Sequence, residues 1–347
     1  MTDKIIRSAK TLYSSQPRLR GWAKKISSSK AYFYLTRLRI KSQIKKDLEN
    51  PVNFVNFVNL VIELSNFCNA RCLMCPNSTM KRRKSVMAKG IFEKIVSRIK
   101  EEKLAVNKVF LSGLGEPLID PQIIQRIKAF KEMGLPVKLY TNAHLLTSEI
   151  SQQLVDLKIE EINISFNGAT PDHYQKVMGL DFDKAKENIE SLLKIKKEKQ
   201  SDLPKVLISS ILIGENEKDI KKHLENWSGK VDSVTVSVAH EWGGGVKIDS
   251  NSGFGSSERT YPCRSLWQTM MIDSSGNFVI CCRDYESGFV LGNVLTHSFA
   301  QIQKSPVLER FRLLNLEFSK QKLPLMCQKC NFPYQDGIEW YLPRSVD

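Results

Sequence analysis

Six short runs rich in β-branched residues, Leu60–Leu64, Lys108–Ser112, Val137–Thr141, Glu161–Phe166, Val206–Ile213 and Ser233–Val238, alternate with stretches of helical periodicity at roughly 88–102, 121–133, 147–157, 170–198 and 217–228. That order predicts an α/β domain with a parallel sheet or partial barrel. Local signals agree: Asp120-Pro121 sets an N-cap before a first-turn proline, and Gly134 stops the same helix. In such folds the chemistry gathers at the carboxyl ends of the strands. The segment just after each strand is therefore the place to seek function.

After the first strand comes Phe67-Cys68-Asn69-Ala70-Arg71-Cys72-Leu73-Met74-Cys75-Pro76, a Cys-x3-Cys-x2-Cys spacing with no fourth cysteine nearby. A structural zinc site wants four ligands. Three thiolates on a cubane iron–sulfur cluster leave one iron open to another ligand, and an open iron is reactive. Zinc with a distant fourth ligand, His144 or His173, is the competing reading. All eight cysteines lie between residues 68 and 330, clustered rather than spread as a disulfide framework would be. The N-terminus shows no signal-peptide pattern and no apolar run is long enough to span a bilayer, so a reducing cytoplasm is the expected compartment.

The formal charge of +15 is unevenly placed: residues 1–46 carry 13 Lys or Arg against the single acid Asp3, leaving +3 on the remainder. Segment 31–46 interleaves Tyr32, Phe33, Tyr34, Leu35, Leu38, Ile40 and Ile44 with basic residues. It fits a basic helix on an anionic membrane surface or on RNA, or a helix packed on the body with solvated charges. The expected divisions are a basic, helical arm at 1–58, a core at 59–242, a glycine- and serine-rich linker at 243–260 and a small C-terminal domain at 261–347. That last segment reads as a hairpin, Thr269–Ile272 and Phe278–Cys281 about a Ser274–Asn277 turn, followed by a helix near 299–313.

Further motifs come after the later strands. Ser112-Gly113-Leu114-Gly115-Glu116-Pro117 offers glycines for close backbone approach and a carboxylate able to pair with an ammonium. Thr141-Asn142, Ser165-Phe166-Asn167-Gly168 and Ile211-Leu212-Ile213-Gly214 come after the third, fourth and fifth strands. With the cysteine loop, these resemble the radical S-adenosylmethionine (SAM) superfamily over about residues 59–240. The resemblance implies a partial (β/α)6 TIM-like barrel. It also implies a 4Fe–4S cluster on Cys68, Cys72 and Cys75, and SAM held by Gly113, Gly115, Glu116, Asn142, Ser165 and Asn167. Many relatives carry an aromatic residue where this chain has Met74, and Asp where it has Asn167. The implied chemistry is reductive cleavage of SAM to a 5′-deoxyadenosyl radical that takes a hydrogen atom from substrate, with electrons from a flavodoxin or ferredoxin.

The C-terminal region holds Cys263, Cys281, Cys282, Cys327 and Cys330. On spacing alone a zinc ribbon competes with a cluster. After a core of this kind the set resembles a SPASM module in its shortened, one-cluster "twitch" form, implying a second 4Fe–4S cluster on Cys263, Cys281, Cys327 and Cys330. Cys282 is left as a substitute ligand, a buried spare or a catalytic thiol. An auxiliary cluster suits chemistry ending in oxidation, on a peptide or protein or on a sugar or aminocyclitol. His240, Glu241, Trp242, Arg283 and Asp284 are candidate substrate contacts, with His240 and Asp284 the expected proton acceptors. An RNA-modifying radical SAM enzyme and a non-catalytic zinc or iron–sulfur protein are the alternatives.

Overall fold

The computed structural model describes residues 58–213, 219–239, 241–246, 263, 265–317 and 320–330. All of them fall in the larger of two compact units, Val52–Asp347. The basic arm, His240 and most of the expected linker lie outside the described residues.

Six parallel strands form the core sheet: β1 (Val58–Ile62), β2 (Val106–Leu111), β3 (Val137–Thr141), β4 (Glu161–Ser165), β5 (Lys205–Leu212) and β6 (Ser233–Val238), in chain order across the sheet. Between them run α1 (Lys89–Glu101), α2 (Ile123–Glu132), α3 (Ser148–Asp156), α4 (Pro171–Met178), α5 (Phe182–Glu198) and α6 (Ile220–Trp227). Strand alternation sorts the side chains. Leu60, Ile62, Val109, Leu111, Val137, Leu139, Ile162, Ile164, Val206 and Ile208 all point to one face and are fully buried in the main core. Each contributes about 1.5–3 kcal/mol by leaving water. Most of the alternate positions are polar: Lys108 and Lys138 both pair with Glu161, and Asn163 accepts from Ser209 at 2.6 Å. One face of the sheet is thus an apolar bed for helices and the other a polar lane.

Two helix boundaries depart from the sequence pattern. The stretch predicted as one helix at 170–198 is two, because Gly179 adopts φ +67° as a left-handed cap and Asp181 then caps α5. α2 begins at Ile123 with Gln122 as its N-cap, while Asp120 accepts from Gln122 N and pairs with the buried Arg126 at 3.0 Å.

The predicted hairpin is present as β7 (Thr269–Ile272) and β8 (Asn277–Val279), joined by β9 (Val290–Asn293), which the sequence did not announce. It does not form a sheet of its own. β7 lies parallel to β1, with Met270 opposite Leu60 and Ile272 opposite Ile62, so nine strands make one open sheet in the order β6-β5-β4-β3-β2-β1-β7-β8-β9. Burying Met270 and Ile272 in the same apolar layer as β1 is what recruits the hairpin to that edge. β8 ends before Cys281, leaving Cys281 and Cys282 in the turn beyond it. Pro306 divides the predicted 299–313 helix into α8 (Phe299–Gln303) and α9 (Pro306–Leu316); α7 (Ser265–Gln268) precedes β7 and α10 (Leu325–Gln328) carries Cys327.

Candidate active site

The cysteine loop leaves the carboxyl end of β1 and is tied down on every side. Arg71 N and Leu73 N donate to the carbonyls of Met178 and Val177 at the end of α4, at 2.8 and 3.0 Å. Glu116 N donates to Phe67 O at 2.8 Å, and Asn77 Nδ2 to Leu114 O at 2.5 Å. The Lys84 ammonium donates to the carbonyls of Asn66 and Asn77. Burial lowers the Lys84 pKa, while the Cys68 and Cys75 thiols draw it back up.

The glycines of the Ser112–Pro117 motif explain how this loop can sit so close. A Cβ on Gly113 would stand 2.5 Å from Glu63 Cγ, and one on Gly115 would collide with the backbone carbonyl of Ser65. Their absent side chains admit the chain's own cysteine loop as well as a ligand.

Cys68, Cys72 and Cys75 line a cavity of about 190 Å³ with Gly113, Gly115 and Glu116. Among the described residues no group of three His, Cys, Asp or Glu closes on a single metal ion; these thiols ring a cavity instead. Burial pushes the Cys68 thiol up to about 11, and raises Cys75 and Cys72 as well, Cys72 also through the neighbouring Cys75 and Cys68. Three half-buried thiols, two of them raised further by a neighbouring thiol, suit a cationic iron centre, which reverses that penalty. Of the two histidines considered as zinc ligands, His173 pairs with Asp219 and His144 faces Asn69 at 3.4 Å.

Glu116 is 2 % exposed, and its carboxylate accepts from Leu118 N at 3.1 Å, Thr141 Oγ1 at 2.8 Å and Asn142 N at 2.8 Å. Burial lifts its pKa to about 7 against the pull of those three bonds. It caps the one-turn helix Pro117–Ile119 and lines the cavity at once. No Lys or Arg pairs with it among the described residues, so an ammonium entering the cavity would supply the missing counter-charge. The donor set and this carboxylate fit an open cluster and SAM.

Asn142, Ser165 and Asn167 line the same cavity. Asn142 Nδ2 donates to Asn69 Oδ1 at 2.8 Å, so the end of β3 grips the cysteine loop. Asn167 Oδ1 accepts from Ile211 N at 2.7 Å, mooring β5. Trp242 closes the cavity by donating Nε1–H to the Met74 carbonyl at 2.9 Å. Beside it the glycine run is packed: a Cβ on Gly243 would meet Met326 at 2.8 Å, and Gly245 presses on the Tyr285 ring. Trp242 and the glycines 243–245, the latter expected to open a linker, together join the cysteine loop to the α10 region.

Three functional candidates escaped the sequence reading. Tyr140 lines the cavity, where burial raises its pKa and Cys282 adds to the rise; its one signal was its place on the polar side of β3. Glu63 is fully buried and binds Arg82 bidentately at 2.7 and 3.0 Å, while also accepting from Leu114 N and Ser274 N. Arg82 goes on to Tyr285 O at 3.2 Å and Asp273 at 3.5 Å. These two residues clamp the cysteine loop and the glycine motif to the hairpin.

In the second set, Cys281 lies close to Cys282 and Cys263, and burial holds its pKa well above the usual thiol value. Arg283 Nη1 stands 3.3 Å from Cys282 Sγ. Cys330 N donates to Cys327 O. Asp284, 6 % exposed, accepts from Gly288 N and Phe289 N at 2.8 Å each, and it does not line the cavity.

An open half-barrel with one cysteine set at the head of β1 and another flanking its added hairpin defines a two-site iron–sulfur α/β protein. Comparison with known proteins gives it a family. The model for the Radical SAM superfamily matches residues 62–226, and that for the SPASM iron–sulfur cluster-binding domain matches 263–331. The chain carries a radical SAM domain followed by a SPASM domain. A tungsten-containing aldehyde ferredoxin oxidoreductase cofactor-modifying protein of Pyrococcus furiosus is 26 % identical over 184 residues, 51 % of this chain and 50 % of that protein. The chain thus matches only half the length of this curated relative. Streptococcus suis SuiB bound to the precursor peptide SuiA shares the fold with a TM-score of 0.62 at 16 % identity, covering 78 % of this chain and 71 % of that one. BtrN in complex with AdoMet and 2-DOIA shares it at 0.55 and 18 %, covering 79 % and 93 %.

Proposed function

We propose that this chain is a radical SAM oxidoreductase or maturase that takes a hydrogen atom from a peptide side chain or a polyhydroxylated small molecule and completes its oxidation through an auxiliary cluster. The observation that carries this reading is the position of Tyr140. It lines the cavity ringed by the first cysteine set, and Cys282 of the second set adds slightly to the rise of its pKa, which supports a substrate held between the two sets. When bound, the reduced cluster and SAM supply a carbon radical strong enough to take an unactivated hydrogen. The chain's own part is to hold them. Cys68, Cys72 and Cys75 hold iron, Glu116 receives the methionine ammonium, and Asn142 and Asn167 brace the walls. Trp242 excludes water on the Met74 side.

Likeness to SuiB with its peptide supports a peptide substrate, and likeness to BtrN with 2-DOIA a small one. No helix among the described residues is long and apolar enough to cross a membrane. A cytoplasmic flavodoxin or ferredoxin is the proposed reductant, and the basic arm a proposed contact with a membrane surface or RNA. Anaerobic reconstitution tests the reading: about eight irons per chain and release of 5′-deoxyadenosine on reduction with SAM are expected. Zinc in place of iron, or no SAM cleavage in an intact two-cluster preparation, would sink it.

A further inference from the structure

Arg283 sits where an arginine has no part in holding SAM or the first cluster. It comes directly after Cys281 and Cys282 in the turn beyond β8, with Nη1 3.3 Å from Cys282 Sγ. Burial works against its charge, yet Cys282, Cys330, Cys281 and Cys263, in that order of strength, lie close enough to hold its pKa above the usual arginine value. A guanidinium is charged at any physiological pH, so a permanent cation stands beside Cys282 and two residues beyond Cys281.

We propose that Arg283 is a positioning residue that sets the reduction potential of the auxiliary cluster, making that cluster a one-electron acceptor for the substrate radical. This rests on the reading that the second cysteine set binds a cubane cluster. A four-thiolate cluster is anionic when oxidised and gains one more negative charge on reduction. A fixed cation in a buried site stabilises the reduced form more, because Coulomb energies grow as the dielectric falls. Net charge is one of the levers by which proteins tune such clusters, and Arg283 supplies it, held in place by its bond to Cys282 beside the ligand Cys281. In the step it favours, the substrate radical loses one electron to the auxiliary cluster and one proton to solvent, and the cluster is reduced by one electron.

The test uses the full-length chain with Cys68→Ala, Cys72→Ala and Cys75→Ala, which leaves the auxiliary cluster as the reporter, titrated reductively and monitored by electron paramagnetic resonance. Arg283→Met on this background is expected to lower the reduction equilibrium constant at least about tenfold, a fall of about 59 mV for a one-electron couple. Arg283→Lys, which keeps the charge, should recover more than half of that shift. An unchanged potential in Arg283→Met with its iron retained overturns the proposal. So does an equal fall in both variants, or loss of auxiliary iron from both, which would make Arg283 an assembly residue. Should the parent background bind no iron at all, it is the two-cluster reading that fails, and the two failures are distinct.

Discussion

Replacing Arg82 by methionine keeps most of the side chain's length and deletes its charge, which isolates what the Glu63 pair contributes. The Glu63 side chain is 0 % exposed and that of Arg82 11 %, so water cannot take over the lost bonds. Breaking a buried pair by removing one partner costs about 3–5 kcal/mol, because the other charge is left uncompensated. The Tyr285 carbonyl also loses its donor, about 1 kcal/mol more. The sum is a large part of the roughly 5–15 kcal/mol that holds a typical protein folded. Urea unfolding of the iron-free protein at pH 7 measures it. In the double variant Glu63→Gln with Arg82→Met the Glu63 charge is no longer stranded, although Asp273 still loses its cation, so at least about 2 kcal/mol should return relative to the sum of the single changes. A loss below about 1 kcal/mol in Arg82→Met, or strict additivity in the double variant, would refute the reasoning.

Three further outcomes are expected. Gly115→Ala must push the Ser65 carbonyl away, costing about 1–3 kcal/mol and lowering both iron at the first site and SAM affinity; normal iron content and SAM affinity would refute it. Glu116 has a folded pKa of about 7, above its unfolded value of 4.5, so its contribution to stability is full below pH 4.5 and is lost as pH rises through 7. The melting-temperature advantage of the iron- and SAM-free wild type over Glu116→Gln should therefore shrink from pH 5 to pH 8, and a constant gap would contradict it. Cys281→Ala should lose the auxiliary iron while Cys282→Ala retains it, as iron analysis and paramagnetic resonance will show; the reverse pattern would make Cys282 the ligand.

Much of the fold was legible because its causes are local. The β-branched runs and helical periodicities placed all six core strands, and Thr147, Thr170 and Asp181 cap α3, α4 and α5 through bonds to residues three positions on. The cysteine loop, Glu116, Asn142, Ser165 and Asn167 could be named because their motifs resemble those of the radical SAM superfamily, and each comes at or after the end of a strand, where parallel strands deliver such segments to one end of the sheet. The break at Gly179 was less legible: the amphipathic pattern runs through it, and only the backbone's φ separates the two helices. Nothing local in Glu63 or Arg82 marks a buried ion pair, since an arginine in a run of Lys81, Arg82, Arg83 and Lys84 looks like any solvated charge.

By itself the sequence determined the α/β class, the place of the open three-cysteine site and the carboxylate beside it. These rest on interactions between neighbours in the chain and on the fixed geometry of strand and helix. The tertiary structure decided the rest. It joined the C-terminal hairpin to the edge of β1, turned Gly243–Gly245 from a linker into a packed bridge, and brought Tyr140 into the wall of the cavity that holds the first cysteine set. It also placed Arg283 among the second set of thiols. Contacts between residues so distant in the chain are set by which apolar faces can share one core, and no local pattern records that choice.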